Sequence, residues 1–440
     1  MNKGSFYFVL ISLLCLGCSK YSDRITFYKH NKLESFVSID EAKMNVLKLM
    51  DQINVETKGS LDGRSIVESF SLGEDDFTKD EDSYPVFYVF NFNDEKGYAI
   101  ATSDNRMPPV FCITEKGRFS PDSLIIPEGA AILLSALEDE YRRVTADGVR
   151  SGDSLDIIDP PGGYPTLVDT WYVYTDWEMG TVYGSRLDCN WGQRAPFNAQ
   201  CPYDDSIQCP VGCLATALGQ IMYHWGVNTT YNGHSYDWYY MHDIIDRDTD
   251  ETLYHTGWEM VQNLMIDIGR SENLAMTYEY DGSHAPTVNI SRTFQHFGYL
   301  HGGTETELHN NYDVLKDDLM NNRPVMGYGC SYDETSFFGL IHHYSGSHEW
   351  VYDQCCTQSR ERYTYNIYSD GSQMLVSTAY YNRKLVHCNW GWNGNHNGFY
   401  LLEDYDTVND AGIITRSSTK SDHDKYYHYC LLMQTGISPN

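Results

Sequence analysis

The stretch PVGCLATALGQIMYHW, residues 210–225, decides how this part of the chain folds. Read as a helix that begins at Cys213, it places its apolar residues at i, i+3, i+4, i+7, i+8 and i+11, on one continuous face. These residues are Leu214, Ala217, Leu218, Ile221, Met222 and Trp225. Pro210 and Gly212 precede the helix, as is typical where a loop enters a first helical turn. The pattern predicts a core helix with Cys213 at its N-terminus.

A cysteine in that position has the surroundings of a nucleophile. The positive end of the helix macrodipole favours the thiolate over the thiol. Free backbone N–H groups at the same end can bind a developing oxyanion. The alternative is a buried structural cysteine that happens to open a core helix, and the helix alone does not decide between the two.

Three further motifs accompany Cys213. They are NWGQRAPFN at 190–198, GSHEWV at 346–351 and HCNWGW at 387–392. The order Gln, Cys, His, Asn-Trp is that of papain-like thiol proteases. The residues around these positions resemble the motifs of the streptopain family of bacterial cysteine proteases. The resemblance extends over roughly residues 80–120 and 160–405. It favours the nucleophile over the structural cysteine.

The resemblance implies an α+β fold of the papain-like type, with a helical part and an antiparallel sheet. It implies that Cys213 is the nucleophile, that His348 is its general base and that Asn389 fixes the tautomer of the histidine ring. Gln193 would donate its side-chain amide to the oxyanion hole, and Trp390 would shield the His–Asn hydrogen bond from water.

Three histidines are candidates for the general base, because His342 and His343 lie close to His348 in sequence. His348 follows Gly-Ser and precedes an aromatic and aliphatic strand, which fits the family pattern, whereas the other two do not. Two residues depart from that pattern. Glu349 replaces a small residue, and Gln354 replaces a glycine. A carboxylate beside the imidazole would either raise the histidine pKa or face water.

Residues 264–285 resemble the family segment that lines the substrate cleft. Met276, Ser283, His284 and Ala285 are therefore candidates for substrate contact, with plain core and loop roles left open. Residues Thr357–Lys384 are predicted to form an additional hairpin between the histidine and the asparagine.

The first residues predict export. Lys3 gives a positive start, and Phe6–Leu16 is an apolar run that is too short to span a bilayer. Gly17-Cys18 follows, which resembles a bacterial lipobox, with Cys15 at an unusual position. We therefore expect a signal peptide over 1–17 and acylation of Cys18, which would attach the protein to the cell envelope. Ordinary secretion with release from the cell is the alternative.

The following region, 18–150, predicts a separate unit of two helices and three extended segments. The expected elements are helices over 40–50 and 128–143 and strands over 84–92, 97–102 and 110–113. The run 88–119 resembles the inhibitory propeptide of streptopain-type zymogens, and an accessory domain is the alternative. A Pro- and Gly-rich linker over 151–165 would carry the activating cleavage, and 166–440 would be the catalytic domain.

Composition excludes one class of partner and constrains the rest. The chain has 31 Lys and Arg against 61 Asp and Glu, so its net charge repels nucleic acid. After export, disulfides become plausible among the eight cysteines other than Cys213 that lie beyond residue 180. Their irregular spacings do not favour a metal site, and thiol chemistry requires no cofactor.

Together these observations predict an exported cysteine endopeptidase made as a zymogen. Its expected partners are protein or peptide substrates, its own propeptide, and a membrane through the lipid on Cys18. Two alternatives remain: a papain-like transferase or deamidase, and a catalytically silent surface lipoprotein that binds glycan or protein through its many Tyr and Trp side chains.

Overall fold

The structure is a computed structural model of the full chain. It describes residues 26–28, 36–74, 85–105, 107–120, 127, 129–135, 137, 141, 167–227, 230–242, 251–308, 311–335, 344–402 and 431–440. The predicted signal peptide over 1–17, Cys18, the linker over 151–165, His342 and His343 lie outside the described residues. No helix among the described residues is long and apolar enough to cross a membrane.

The helices lie in both predicted units. In the N-terminal unit they are α1 (Ile39–Thr57) and a helical segment that includes residues 129–135. In the rest of the chain they are α2 (Cys213–Trp225), α3 (Glu251–Gly269), α4 (Ile290–His296) and α5 (Tyr312–Met320). Short 3-10 turns occupy Asn93–Glu95 and Thr287–Asn289.

The strands of the N-terminal unit are β1 (Thr26–Tyr28), β2 (Ile66–Glu74), β3 (Pro85–Phe92), β4 (Tyr98–Thr102) and β5 (Val110–Thr114). One longer strand and five short ones precede or flank α2. They are β6 (Leu167–Tyr174), β7 (Glu178–Met179), β8 (Tyr203–Asp204), β9 (Ile207–Gln208), β10 (Thr230–Tyr231) and β11 (His234–Ser235). The remaining strands are β12 (His301–Glu307), β13 (Val325–Thr335), β14 (Tyr344–Tyr368), β15 (Gln373–Asn389), β16 (Gly398–Leu402) and β17 (Leu432–Ser438).

One antiparallel sheet extends through both units, in the order β12-β17-β13-β14-β15-β16-β5-β4-β3-β2. The units join where β16 pairs with β5, with Phe399 opposite Ile113 and Tyr400 opposite Cys112. The α+β class is confirmed, with α2 packed on the antiparallel sheet as expected for the papain-like arrangement.

The first predicted helix and the three predicted strands of the N-terminal unit are confirmed, with small shifts at their ends, and the helix predicted over 128–143 is helical at its described residues 129–135, 137 and 141. Helix α1 runs seven residues beyond the predicted 40–50 stretch, and its N-cap is Ser38, whose hydroxyl accepts a hydrogen bond from the backbone of Glu41. Strand β2 was not predicted from the sequence, although its Phe70 and Leu72 alternate with exposed serines. It nevertheless pairs with β3 along most of its length.

Helix α2 is the central helix of the second unit. All the predicted apolar positions are buried except Trp225, which is half-buried. Thr216 and Gln220, on the other side of the helix, are buried as well. A helix covered on all sides lies inside a core rather than on its surface. The sheet covers α2 on one face through Val351, and α3 covers another through Met265.

The predicted additional hairpin is confirmed. Strands β14 and β15 pair from Thr357–Lys384 out to Ile367–Gln373, with one register shift between Thr364 and Tyr365. The hairpin also contacts the N-terminal unit, because Gln358 donates a hydrogen bond to the side chain of Gln52 on α1, at 2.6 Å.

A buried ionic network joins the two units beside the shared sheet. Glu115 follows β5, and its carboxylate contacts Arg186 and the Nε2 of His387, the latter at 3.5 Å. The other ring nitrogen of His387 lies 2.6 Å from Asp353. Burial lowers the pKa of His387, but Asp353 and Glu115 outweigh burial and raise it to about 9. Burial raises the pKa of Glu115, but His387, Arg186 and Arg64 bring it below its ordinary value.

We predict that Glu115→Gln destabilises the full-length protein by about 3 kcal/mol. Removing one partner of a buried ionic network is costly, because the buried His387 would lose Glu115 and keep Asp353 alone of the two carboxylates. The measurement is urea unfolding in a Cys213→Ala background, so that the chain cannot cut itself.

The matched control is Glu68→Gln. Glu68 also pairs with an arginine, Arg118, but both side chains are 44% exposed. An exposed pair contributes less than about 1 kcal/mol. Equal shifts of the urea midpoint in the two variants would contradict a stabilising role for the buried network.

Candidate active site

Cys213 is the first residue of α2, as predicted, and the chain reaches it through a constrained turn. Gly212 has φ 93°, and a Cβ there would lie 2.8 Å from the carbonyl oxygen of Ser283, so the position requires glycine. Just before it, the N–H of Val211 donates to the carbonyl of Gln193 at 2.7 Å. This hydrogen bond places the predicted oxyanion residue next to the turn that carries the cysteine.

Cys213 differs from the other described cysteines in its exposure. Among the eight cysteines whose side chains the structure describes, Cys213 is half-buried and the other seven are buried, and none of these eight forms a disulfide. Burial raises the pKa of the Cys112 thiol to about 12 and that of Cys355 to about 11. Since the thiolate is the reactive form, these buried thiols are unreactive at neutral pH.

The predicted substrate-contact residues lie beside the same turn. Met276 would be 3.3 Å from a Cβ at Gly212. The hydroxyl of Ser283 donates to the carbonyl of Pro210 at 2.7 Å. His284 exchanges two backbone hydrogen bonds with Thr277, which closes the loop, and Ala285 is half-buried against the core. The structure thus brings the four residues to one wall near the cysteine, and their contact with substrate stays a prediction.

Glu349 occupies the position opposite the cysteine. The Cys213 Sγ donates a hydrogen bond to Glu349 Oε2 at 2.8 Å. The glutamate is 5% exposed. Burial raises its pKa to about 7, and the hydrogen bond from Cys213 acts in the other direction. The sequence analysis left open whether this carboxylate acts on the imidazole or faces water, and the structure shows that it faces the thiol.

His348 lies on the opposite face of the same strand. Its ring is stacked on Trp350, with centroids 6.2 Å apart, and its Nε2 lies 3.3 Å from the carbonyl oxygen of Trp390. Because a carbonyl can only accept, Nε2 is the protonated nitrogen in this contact. Successive side chains of a strand point to opposite faces, so His348 and Glu349 cannot both be directed at Cys213.

Asn389 lies with Glu349 on the cysteine side of the sheet, since it is paired with Val351, whose side chain packs in the core of α2. Its amide nitrogen donates to the carbonyl of Cys189 at 2.9 Å, and its Oδ1 accepts from the N–H of Gly391 at 3.2 Å. In this form of the chain, Asn389 therefore holds the loops around the site. Its predicted hydrogen bond to His348 stays a prediction for another conformation.

The N-terminal unit packs directly on the histidine side of the sheet. Trp390 contacts Trp350 with ring centroids 5.2 Å apart, and its Nε1 donates to the carbonyl of His396 at 3.0 Å. A Cβ at Gly129, in the helical segment of the N-terminal unit, would lie 2.4 Å from the Trp390 ring and 2.8 Å from the Trp350 ring. Glycine lets this helical segment rest on the two indoles that enclose His348.

Two features of this region were not predicted from the sequence, namely the contact of Glu349 with Cys213 and the network around His387. The position of Glu349 had a signal, namely a carboxylate where the family has a small residue. The Glu115–His387–Asp353 network had none, since the β14–β15 pairing brings Asp353 to His387 and the β5–β16 pairing brings in Glu115 from a distant part of the sequence.

Two family matches cover most of the chain. Residues 191–400 match the Peptidase C10 family, and residues 34–141 match the Spi protease inhibitor family. The first match contains Cys213, His348 and Asn389. The second contains α1, β2–β5, Glu115 and Gly129.

A curated relative is the "Thiol protease/hemagglutinin PrtT" of Porphyromonas gingivalis, 24% identical over 349 residues. The match covers 72% of this chain and 34% of that protein, so the chain spans about a third of the relative's length.

Solved structures of Prevotella intermedia proteins are also similar. A fragment of prointerpain A with a cysteine-to-alanine mutation is 17% identical, with a TM-score of 0.45, and the match covers 85% of this chain and 99% of that one. Active wild-type interpain A cysteine protease is 21% identical, with a TM-score of 0.35, and covers 53% of this chain and 89% of that one.

Proposed function

We propose that the chain is an exported cysteine endopeptidase synthesised as a zymogen, because residues 191–400 match the Peptidase C10 family and residues 34–141, which precede them, match the Spi protease inhibitor family. The observation that carries the proposal is the placement of Cys213. It is a half-buried cysteine at the N-terminus of a core helix, next to the Gln193 loop and the wall formed by Met276 and Ser283.

The proposed reaction is hydrolysis of a peptide bond through an acyl-enzyme. The Cys213 thiolate attacks the carbonyl carbon, and the oxyanion binds the Cys213 N–H and the Gln193 side-chain amide. Imidazolium at His348 protonates the leaving amine, and the neutral imidazole then takes a proton from the water that hydrolyses the thioester. Asn389 orients the His348 ring through a hydrogen bond, and Trp390 shields this hydrogen bond from water.

The described form of the chain does not have this arrangement, because His348 and Cys213 lie on opposite sides of β14. We infer that it is the latent form. The N-terminal unit adds strands to the sheet, contributes Glu115 to the buried network and packs Gly129 on the tryptophans around His348. Its departure would remove these contacts and free the segment around His348 to turn towards the cysteine.

The catalytic assignment predicts that Cys213→Ala abolishes hydrolysis of a fluorogenic peptide by the processed enzyme. His348→Ala is expected to lower the rate by about 10³-fold or more, since the thiolate loses its general base and acid. His296→Ala serves as the control histidine. It lies on α4 and hydrogen-bonds Asn273, so its loss should leave the rate within about threefold. Hydrolysis that survives Cys213→Ala in the pure protein would refute the assignment.

The zymogen assignment predicts that the uncut chain is latent. A recognition sequence for an unrelated protease, inserted between Gly162 and Gly163, would allow the linker to be cut at will. A tethered inhibitor acts at an effective concentration of about 1 mM, which cutting and dilution remove. Peptide hydrolysis should therefore rise after cutting, and faster in a Glu115→Gln chain. Full activity of the uncut chain would show that residues 18–150 are an accessory domain.

The location is proposed from residues 1–18. A charged start, a short apolar run and Gly17-Cys18 support a signal peptide that is removed and a lipid attached to Cys18, which would hold the protein at the bacterial cell envelope. Metabolic labelling with a palmitate analogue is expected to mark the full-length protein and to be lost in Cys18→Ala, with Cys15→Ala as the control. Release of unlabelled protein into the medium would favour ordinary secretion.

A further inference from the structure

The glutamate beside the nucleophile is placed there by strand geometry. Glu349 and Val351 share one face of β14, and Val351 packs in the core that contains α2. That face is fixed by the pairing of β14 with β13, where Tyr328 is opposite Glu349. The carboxylate therefore cannot leave the thiol while this register is kept, short of a rotamer change in a position that is 5% exposed.

A carboxylate in contact with the sulfur opposes ionisation of the thiol. Forming the thiolate would place a second negative charge 2.8 Å from a carboxylate that is itself only 5% exposed. The helix N-terminus favours the thiolate, but only with about half a positive charge spread over several N–H groups. The first turn of α2 has no acidic residue of its own. The full charge at contact distance therefore outweighs the helix end.

We propose that Glu349 is a positioning residue that keeps Cys213 in the thiol form in the uncut chain, by accepting its S–H hydrogen bond in the place that the imidazole would need to occupy. The proposal deepens the proposed function, since it takes Cys213 as the nucleophile. Latency then has two parts: the N-terminal unit that packs on the histidine side of β14, and a protonated nucleophile on the other side.

The pKa of Glu349 is consistent with this role. Burial raises it to about 7, so the carboxyl is largely ionised at mildly alkaline pH, where an unopposed cysteine at a helix N-terminus would already be a thiolate. Two other titratable side chains lie on these strands: His348, which is on the opposite face of β14, and Tyr328, which is paired with Glu349 on β13.

The test is the alkylation rate of Cys213 by iodoacetamide in the uncut, full-length protein. The thiolate sulfur displaces iodide and forms an S–C bond, so the rate reports the thiolate fraction and needs no peptide turnover. Labelling of the Cys213 peptide would be followed by mass spectrometry from about pH 6 to about pH 10.

Glu349→Gln is expected to lower the midpoint of the alkylation profile by about one pH unit and to raise the rate at pH 8 about tenfold. Glu349→Asp keeps the charge and should stay closer to the parent than to the Gln variant. Glu361→Gln removes a different carboxylate from the same strand, one that accepts from Tyr363, and should change neither quantity.

Folding is checked in the same experiment, because Cys112 and Cys355 are buried and should stay unlabelled. If the Gln variant labels them, Glu349→Ala, with its small neutral side chain, takes its place with the same expected acceleration. A rate equal to or below that of the parent in a folded neutral variant would overturn the proposal. That result would leave the peptidase assignment intact, whereas hydrolysis by Cys213→Ala would refute the peptidase without changing the labelling.

Discussion

The alternation of side chains along β14 is the constraint on which the rest of the site depends. His348 and Glu349 are neighbours in sequence, so one faces α2 and the other faces the N-terminal unit. In the described form Glu349 contacts the Cys213 thiol, and His348 contacts the carbonyl of Trp390. In the proposed mechanism His348 acts on Cys213, so this segment of β14 would have to turn its histidine face towards α2.

The N-terminal unit is built into the structure that holds this register. It does not merely cover a cleft, since β5 pairs with β16 and the sheet continues from one unit into the other. Glu115 adds a buried charge that His387 and Arg186 of the second unit help to compensate. Gly129 allows a helical segment to lie against Trp350 and Trp390. Removing the unit would therefore remove the β5–β16 pairing, the ionic contacts of Glu115 and the packing of Gly129 on the two tryptophans together.

Much of this could be predicted from the sequence where the signal is local. The spacing of Leu214, Leu218 and Ile221 determines a buried helix, and Cys213 begins it because Gly212 and Pro210 cannot continue a helix backwards. The apolar runs around Tyr88 and Ile100 predict strands that the structure contains. Strand β2 was not found in this way, because its alternation is confined to Ser69–Leu72, whereas its pairing with β3 extends it over Ile66–Glu74.

What the sequence by itself determined is the set of elements and the identity of the chemical groups: a cysteine at a helix start, a histidine in a strand, an asparagine before a tryptophan. What only the tertiary structure decided is which group faces which. The face that β14 turns towards α2 depends on its pairing with β13 and β15 and on the N-terminal unit behind it. The Glu115–His387 contact likewise depends on how two distant segments meet. Local patterns carry no information on such contacts, because their energies arise between residues hundreds of positions apart.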